Sequence, residues 1–219
     1  MGIEQVWPLF GLRVETPRLV LRTATDDDLP GLADAAIAGV HEPDRMPFAA
    51  PWTDAEPEEL RRSLAQFHWR LRSQTRADDW WLALAVEHEG ELIGSQDVRG
   101  VQFADLRTVE SGSWLTRTAQ GRGFGTEMRA GMLQLAFDHL GAEWAESAAS
   151  SWNTASLRVS EKLGYVPNGV TRMRPRPGEV VDKQQLRLHR DAFVRPAWSA
   201  TVTLPDAARA LLTGTSAPR

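Results

Sequence analysis

Residues 119–126 read AQGRGFGT, join a predicted strand to a predicted helix, and decide the interpretation of the whole chain. Three glycines at alternate positions let the backbone turn tightly and leave its N–H groups uncovered. Those N–H groups and the N-terminus of the following helix together form a site for an anion such as a pyrophosphate. Arg122 and Arg129 are expected to place cationic side chains within reach of that anion.

The spacing of these glycines distinguishes three kinds of nucleotide-binding loop. A P-loop requires a lysine after its last glycine, and Thr126 stands there instead. A dinucleotide-binding fingerprint requires GxGxxG after the first strand of a βαβ unit, whereas this loop reads GxGxG and follows a later strand. The pattern Gln-x-x-Gly-x-Gly from Gln120 to Gly125 remains, and a glycine-rich turn without a ligand stays open beside it.

The flanking sequence predicts a fold of the α/β (α+β) class. Its hydrophobic periodicity gives the order β-α-α-β-β-β-α-β-α-β-β, which implies a mixed sheet with helices on both faces. The predicted strands cover 18–23, 80–87, 92–101, 109–115, 144–150, 165–170 and 183–189. The predicted helices cover 29–39, 53–76, 126–140 and 153–163, and a capping box, Thr53-x-x-Glu56, is expected to open the second of them.

The composition excludes several classes of protein. The chain has no cysteine, which excludes disulfides, a thiolate nucleophile and cysteine-based zinc sites. Its five histidines do not cluster at metal-ligand spacing, so no metal is expected. No apolar stretch approaches the ~20 residues that a membrane span needs, and no secretory leader is visible, so we expect a cytoplasmic protein without a membrane partner.

The charge balance argues against nucleic acid as the main partner. The net charge is −4, from 25 basic and 29 acidic residues, whereas proteins that bind nucleic acid usually carry a basic surplus. Residues 172–190 do hold six lysines and arginines against two acidic residues. We interpret this run as a solvated loop and edge strand, and a nucleic-acid-binding module would need salt-sensitive binding to a polynucleotide to support it.

A second stretch, SWNTASLRVSEKLGY at 151–165, completes the pattern. With it the sequence resembles the GNAT acyltransferases, which depend on coenzyme A, and most closely their RimJ/RimL-like branch, which modifies protein N-termini and small amines. The matching segments are Asn153-x-x-Ser156, Glu161–Tyr165, Gly125-Thr126-Glu127, TPRLVLR at 16–22 and LIG at 92–94. The resemblance covers 16–191, which we expect to be the acyltransferase domain, between an N-terminal extension (1–15) and a weakly patterned, frayed tail (192–219).

The resemblance implies a GNAT fold, in which a mostly antiparallel sheet has a V-shaped split between its fourth and fifth strands, here Val109–Leu115 and Trp144–Ser150. It implies acetyl-CoA, or another acyl-CoA such as succinyl-CoA, as co-substrate, and a primary amine that attacks it directly in a ternary complex. The pantetheine arm would lie in the V and the pyrophosphate on the glycine loop. The coenzyme-binding residues implied are Trp114, Leu115, Gln120, Gly121, Arg122, Gly123, Phe124, Gly125, Thr126, Asn153 and Ser156.

Acyl transfer to an amine needs a base for the ammonium, a hydrogen-bond donor for the oxyanion and a donor for the leaving thiolate. Glu110 is the first candidate base, because the family often carries a carboxylate at the start of this strand. Asp97 is the second, and an ion-pair role stays open for both. The resemblance implies a backbone N–H near Trp114–Leu115 as oxyanion donor. Ser156 is the candidate donor to sulfur, since Tyr165, the single tyrosine, is expected in the core.

The loop at 41–52 covers the acceptor side of the cleft in GNAT folds. The acceptor-binding residues expected there are His41, Asp44, Phe48 and Trp52. They suit an amine attached to an apolar body. The alternative is that Met46, Phe48 and Trp52 pack in the core beneath the helices. The acceptor is expected to be a small-molecule amine or a protein N-terminus, and the protein a monomer or a homodimer. A non-catalytic acyl-CoA-binding sensor is the alternative function.

Overall fold

The structure is a computed structural model that describes residues 2–215 and contains a nine-stranded sheet. The strands are β1 (Arg13–Glu15), β2 (Val20–Thr23), β3 (Asp79–His88), β4 (Glu91–Val101), β5 (Thr108–Leu115), β6 (Trp144–Ser150), β7 (Val166–Met173), β8 (Val181–His189) and β9 (Thr201–Thr203). Their order across the sheet is β7-β8-β6-β5-β4-β3-β2-β1-β9. Neighbours are antiparallel except β5 and β6, which run parallel, so the predicted mixed and mostly antiparallel sheet is confirmed.

Helices cover both faces of this sheet, as the sequence predicts. They are α1 (Ile3–Val6), α2 (Leu29–Ile37), α3 (Pro57–Gln74), α4 (Phe103–Leu106), α5 (Phe124–Gln134, continued by a π-helical turn, Leu135–Leu140), α6 (Thr154–Lys162) and α7 (Asp206–Thr213). Strand β3 shows how the two faces divide. Leu84 and Val86 belong to the larger hydrophobic core, which includes α5, whereas Ala85 belongs to the smaller core with α2 and α3.

The V-shaped split lies between β5 and β6. The sequence predicts these two strands as the fourth and fifth. Their numbers are higher by one in the structure because β1 was not predicted. Within the described chain they pair only from Thr108 opposite Trp144 to Ser111 opposite Ser147. Beyond this point β5 continues along β4 and β6 continues along β8, so a gap opens between 112–115 and 148–150. The predicted split is therefore confirmed.

The predicted capping box at the start of α3 is wrong. The helix begins at Pro57, and its N-cap residue, Glu56, makes no side-chain cap. Proline favours the first helical position because its fixed φ suits the helix and its missing N–H would lack a partner there anyway. Thr53 lies in a separate 3₁₀ turn, where its hydroxyl contacts His41 and Met46.

The two ends of the chain are more ordered than the sequence predicts. Strand β1 pairs with β2 on one side and with β9 on the other, so both ends contribute to one sheet. The indole of Trp80 donates a hydrogen bond of 2.8 Å to the carbonyl of Leu212 in α7, and Leu212 is fully buried. The expected frayed tail is therefore wrong as far as Thr215, and residues 216–219 lie outside the described chain. The division into extension, domain and tail stays a prediction.

Candidate functional site

A cleft of about 830 Å³ opens along the split between β5 and β6. Its floor is the sheet, and its roof is formed by α3 and the residues between α2 and α3. Seven of the predicted site residues line it together: Phe48, Trp52, Asp97, Glu110, Trp114, Asn153 and Ser156. The glycine loop is not part of this lining, and it lies at the N-terminus of α5.

The glycine loop has the backbone that an anion site requires. Gly121 and Gly123 have φ values of 73° and 85°, in the left-handed region that favours glycine. Gly123 is the N-cap of α5, and the first helical hydrogen bond runs from the N–H of Glu127 to its carbonyl, at 3.1 Å. The N–H groups of the first three helical residues, 124–126, therefore have no partner within the helix, as at any helix N-terminus.

An ion pair that the sequence analysis missed holds this loop in place. The guanidinium of Arg18 contacts the buried carboxylate of Glu127 at 2.6 Å and also donates to the carbonyl of Arg122 at 3.1 Å. The hydroxyl of Thr16 donates to the same carboxylate at 2.8 Å. The segment TPRLVLR carried a signal for this contact, but only as a match to a family and not as a partner of residue 127.

Three predicted coenzyme-binding side chains are buried or hydrogen-bonded within the protein. The ring of Phe124 is buried, with the guanidinium groups of Arg18 and Arg122 at 4.6 and 4.7 Å from its centroid. The amide of Gln120 donates to the carbonyls of Val40 and Leu115, at 2.6 and 2.9 Å, and so fastens the loop to the end of β5. Leu115 is itself buried. These three side chains therefore pack and anchor the loop.

The sequence predicts Arg129 beside the glycine loop, and this prediction is wrong. It falls on the face of α5 that packs against the sheet, and only 3% of it is exposed. Its guanidinium donates to the side-chain oxygens of Gln96, Ser147 and Ser113, at 3.4, 3.1 and 3.2 Å. It therefore spans β4, β5 and β6 where β5 and β6 separate, and it contributes to the cleft lining there.

The two candidate bases have different surroundings. Burial raises the pKa of Asp97 from its ordinary 3.8 to about 6, and the nearby Ser95 hydroxyl, Trp81 indole and Arg129 guanidinium oppose that rise only in part. Gly112 on β5 lies opposite Asp97 on β4. Among the described residues no atom lies within 4 Å of the position that a Cβ added to Gly112 would take. Glu110 is exposed and lies in register with Arg99 on one side and Glu146 on the other.

His68 is a cleft residue that the sequence analysis left unassigned. From the sequence, His68 could be placed in the middle of a helix, but no role could be assigned to it. Its side chain is buried, and burial lowers its pKa from 6.5 to about 4, so the imidazole is neutral at neutral pH. It packs edge-on against Phe67, which packs in the same way against Trp81. This side of the cleft is therefore aromatic, and its charged member is Arg70, whose guanidinium lies 5.6 Å from the centroid of the Phe67 ring.

The residues of the 41–52 loop divide between the cleft and the scaffold. Phe48 and Trp52 line the cleft, and a row of ring contacts continues from Phe48 through Trp52 to Trp114, with centroids 5.2 and 5.8 Å apart. Met46 is fully buried, as the core interpretation predicts. His41 and Asp44 do not line the cleft.

The scaffold roles of those last two residues are visible in the structure. The His41 ring nitrogens lie 2.7 Å from the Thr53 hydroxyl and 2.8 Å from the Glu42 carbonyl. Asp44 is exposed and contacts Arg45 at 3.9 Å. The acceptor-binding roles predicted for His41 and Asp44 have no support in this geometry, whereas those of Phe48 and Trp52 stay open.

Asn153 and Ser156 act first as parts of the helix. The side-chain oxygen of Asn153 accepts a hydrogen bond of 3.1 Å from the backbone N–H of Ser156, which caps α6. Both residues also line the cleft, so a cap and a contact with a ligand are compatible. Tyr165 is buried in the core, as expected.

Two further observations concern residues 2–215. Across this range the structure contains no group of three or more His, Asp or Glu side chains arranged to hold a metal ion. None of the helices described is both long and apolar enough to cross a membrane.

Comparison with known proteins adds a family and several similar folds. The family model described as an acetyltransferase (GNAT) domain matches residues 18–166. RimJ of Mycobacterium smegmatis, solved with CoA-disulfide, is similar with a TM-score of 0.69 and 21% identity, over 85% of this chain and 88% of that chain. RimL, an alpha-N-acetyltransferase of a ribosomal protein solved with coenzyme A, gives 0.67 and 16%, over 81% and 97%.

A third structure broadens the range of acceptors among similar folds. A chimera of spermidine N-acetyltransferase SpeG from Vibrio cholerae and hSSAT is similar with a TM-score of 0.63 and 18% identity, over 80% of this chain and 96% of that chain. At such identities the likeness shows a shared fold.

Proposed function

Because the chain belongs to the GNAT acetyltransferase family, we propose that it transfers an acyl group, with acetyl as the simplest case, from an acyl-CoA to a primary amine by direct attack in a ternary complex. One observation carries the proposal. The split between β5 and β6 opens a cleft whose floor holds Asp97, a carboxylate that burial has made more basic.

The donor binds along the backbone of the loop and the split strand. The pyrophosphate lies against the N–H groups of 121–126, where the helix N-terminus favours negative charge. The pantetheine arm lies in the split, because the β6-facing edge of β5 at 112–115 pairs with no strand of the described chain, and its backbone groups need partners. A backbone N–H near Trp114–Leu115 donates to the thioester oxygen as it becomes an oxyanion.

Asp97 is the proposed base, in preference to Glu110. A general base works best when its pKa is close to the working pH, and a pKa of about 6 leaves Asp97 ionised but basic at neutral pH. The ammonium of the acceptor loses a proton to Asp97, directly or through water, and its nitrogen then attacks the thioester carbon. The C–N bond forms and the C–S bond breaks. The leaving sulfur receives a proton from the Ser156 hydroxyl, the proposed donor, and that hydroxyl is restored by the second proton that the attacking nitrogen loses as it becomes an amide.

The acceptor is proposed to be an amine on an apolar or extended body. Phe48 and Trp52 at the roof and Trp114 on β5 offer flat apolar surfaces, and carboxylates at the floor attract an ammonium group. Both a protein N-terminus and a small polyamine meet this description, and similar folds are described for each. The choice between them can be tested by assaying release of free thiol from acetyl-CoA with peptides and with small amines.

The coenzyme site is tested with a matched pair of glycines. Gly121 and Gly90 both have a left-handed φ, and in both cases no described atom lies within 4 Å of the position of an added Cβ. Gly121→Val and Gly90→Val therefore introduce similar backbone strain, but only the first obstructs the loop. Calorimetry with coenzyme A should show about a tenfold or greater loss of affinity for Gly121→Val and none for Gly90→Val.

Two results would count against the proposal. Equal affinities in the two variants would remove the glycine loop from the coenzyme site. Coenzyme binding without thiol release for any amine tested would favour the alternative of a non-catalytic acyl-CoA-binding sensor.

A further inference from the structure

Arg129 is a buried cation without an anionic partner. Its guanidinium donates hydrogen bonds to Gln96, Ser113 and Ser147 and forms no ion pair within residues 2–215, although it is almost fully enclosed. Burying an unpaired charge is costly, and buried charges in proteins are normally paired. The arginine is therefore placed as if an anion from outside the chain were to complete the site.

The hydrogen bonds of Arg129 leave part of its donor set free. A guanidinium has five N–H groups, and three hydrogen bonds are made here, all of them to neutral acceptors on Gln96, Ser113 and Ser147. These acceptors come from three different strands, so they fix the orientation of the guanidinium. The remaining donors suit a carboxylate, which arginine binds in a planar, two-pronged manner.

The position of Arg129 matches the far end of a bound acyl chain. Ser147 belongs to the last pair between β5 and β6, and Ser113 is the second residue of β5 beyond it, so the guanidinium lies where the split closes. In the proposed donor mode the thioester oxygen lies near Trp114–Leu115, nearer the open end. An acyl chain that extends from there toward the closed end points at Arg129.

The other ionisable groups around this position do not replace the missing anion. Asp97 on β4 interacts with Arg129 through space, but its pKa is raised and not lowered overall. Tyr165 packs nearby, and burial raises its pKa, so its phenol is neutral. Glu110 and Glu146 lie on alternate positions to Ser111 and Ser147, which places them on the opposite face of the sheet from α5.

We propose that Arg129 selects a coenzyme A thioester whose acyl chain ends in a carboxylate, such as a succinyl group. The inference rests on the proposed function and refines its donor. The chemistry of transfer is unchanged: the C–N bond forms, the C–S bond breaks, and the distal carboxylate stays intact on Arg129. Two methylene groups separate the thioester carbon from that carboxylate in a succinyl chain, and a neutral chain of the same length leaves the guanidinium unpaired.

The experiment measures binding of two non-reactive thioethers to the full chain. S-(3-carboxypropyl)-CoA and S-butyl-CoA differ only in the terminal group, a carboxylate in the first and a methyl in the second. We expect the carboxylate compound to bind about tenfold or more tightly, since charge-assisted hydrogen bonds are the strong class. Arg129→Met should remove this preference, and Arg129→Lys should retain part of it. Arg122→Met serves as the matched control and should weaken both compounds equally.

The outcomes separate the inference from the proposed function. If the wild-type protein binds coenzyme A and both thioethers with the same affinity, the inference is overturned and the proposed function stands. If it binds none of the three, the proposed function fails with it. A preference that persists in Arg129→Met also overturns the inference. Should the Arg129 variants not fold, the comparison of the two thioethers on the wild-type protein decides by itself.

Discussion

Asp97 combines low hydration with access to the cleft, and this combination makes its protonation state a measurable part of the reaction. Because its pKa is about 6, we expect kcat/KM to rise as the pH increases through that value, when the carboxylate becomes able to accept a proton. Asp97→Asn should lower kcat by about 100-fold and leave coenzyme A affinity unchanged. Glu110→Gln is the control, and a larger loss in that variant would transfer the role of base to Glu110.

The same residue predicts an effect on stability with a definite sign. The pKa of Asp97 in the folded protein is raised above its ordinary 3.8, so the folded state binds the proton more tightly than the unfolded state. Its stabilising contribution is complete below 3.8 and is lost as the pH rises through about 6. Asp97→Asn should therefore raise Tm at about pH 8 relative to the wild type, and this gain should shrink at about pH 4. A lower Tm at the higher pH would contradict the burial of this charge.

Some residues of the site could be predicted from the sequence and others could not, for a physical reason. The positive φ values of Gly121 and Gly123 follow from local sequence, because a tight loop before a helix needs them. The pKa of Asp97 and the placement of Arg129 depend on which residues of distant strands lie nearby. The sequence places Arg129 near the glycine loop, whereas the structure places it against the sheet. Spacing along a sequence does not reveal which face of a helix a sheet will cover.

At the scale of elements, α6 offers a direct test of its cap. Asn153→Ala removes the acceptor for the N–H of Ser156 and should lower the free energy of unfolding by about 1 kcal/mol, measured by urea denaturation. Asn153→Asp keeps a side-chain oxygen at the same place and should leave stability nearly unchanged. If both variants lose the same stability, the cap is not the reason. A fall in coenzyme A affinity for Asn153→Asp alone would indicate contact with the pantetheine arm.

Element boundaries were predictable where one periodicity dominated. The strand at Trp144–Ser150 was predicted to the residue, and β3 and β4 to within one residue at either end. The three-residue strands β1 and β9 were missed, because so short a segment shows no alternation. They exist through pairing with each other and with β2, which is a property of the assembled sheet and not of either segment.

At the scale of the whole molecule, the split that forms the cleft depends on how far two strands remain paired. The sequence identifies β5 and β6, and the resemblance implies that they diverge, but the last pair, Ser111 with Ser147, is set by three-dimensional packing. Arg129 lies at this last pair and Gln96 bridges from β4, so the polar contacts beneath the split come from elements far apart in the chain. The general form of the cleft was therefore predictable, and its floor was not.

The roof of the cleft is held by an ion pair that connects distant parts of the molecule. Arg176, between β7 and β8, donates two hydrogen bonds of 2.7 Å to Asp54 and one of 3.1 Å to the carbonyl of Pro43. It therefore fastens the segment that presents Phe48 and Trp52 to the cleft. We expect Arg176→Gln to raise the acceptor KM severalfold, because the aromatic roof is no longer held over the sheet, while coenzyme A affinity stays the same.

A second two-pronged ion pair provides the control for this prediction. Arg195 donates to both oxygens of Asp138 at 2.9 and 2.7 Å, and in each pair the arginine lowers the pKa of its aspartate. Exposed pairs of this kind contribute only ~0–1 kcal/mol, so Arg176→Gln and Arg195→Gln should both shift Tm little. The acceptor KM should change only in the first. Equal KM values in the two variants would show that the roof is scaffold, and the acceptor would then have to be recognised by the floor of the cleft alone, through the carboxylates of β4, β5 and β6.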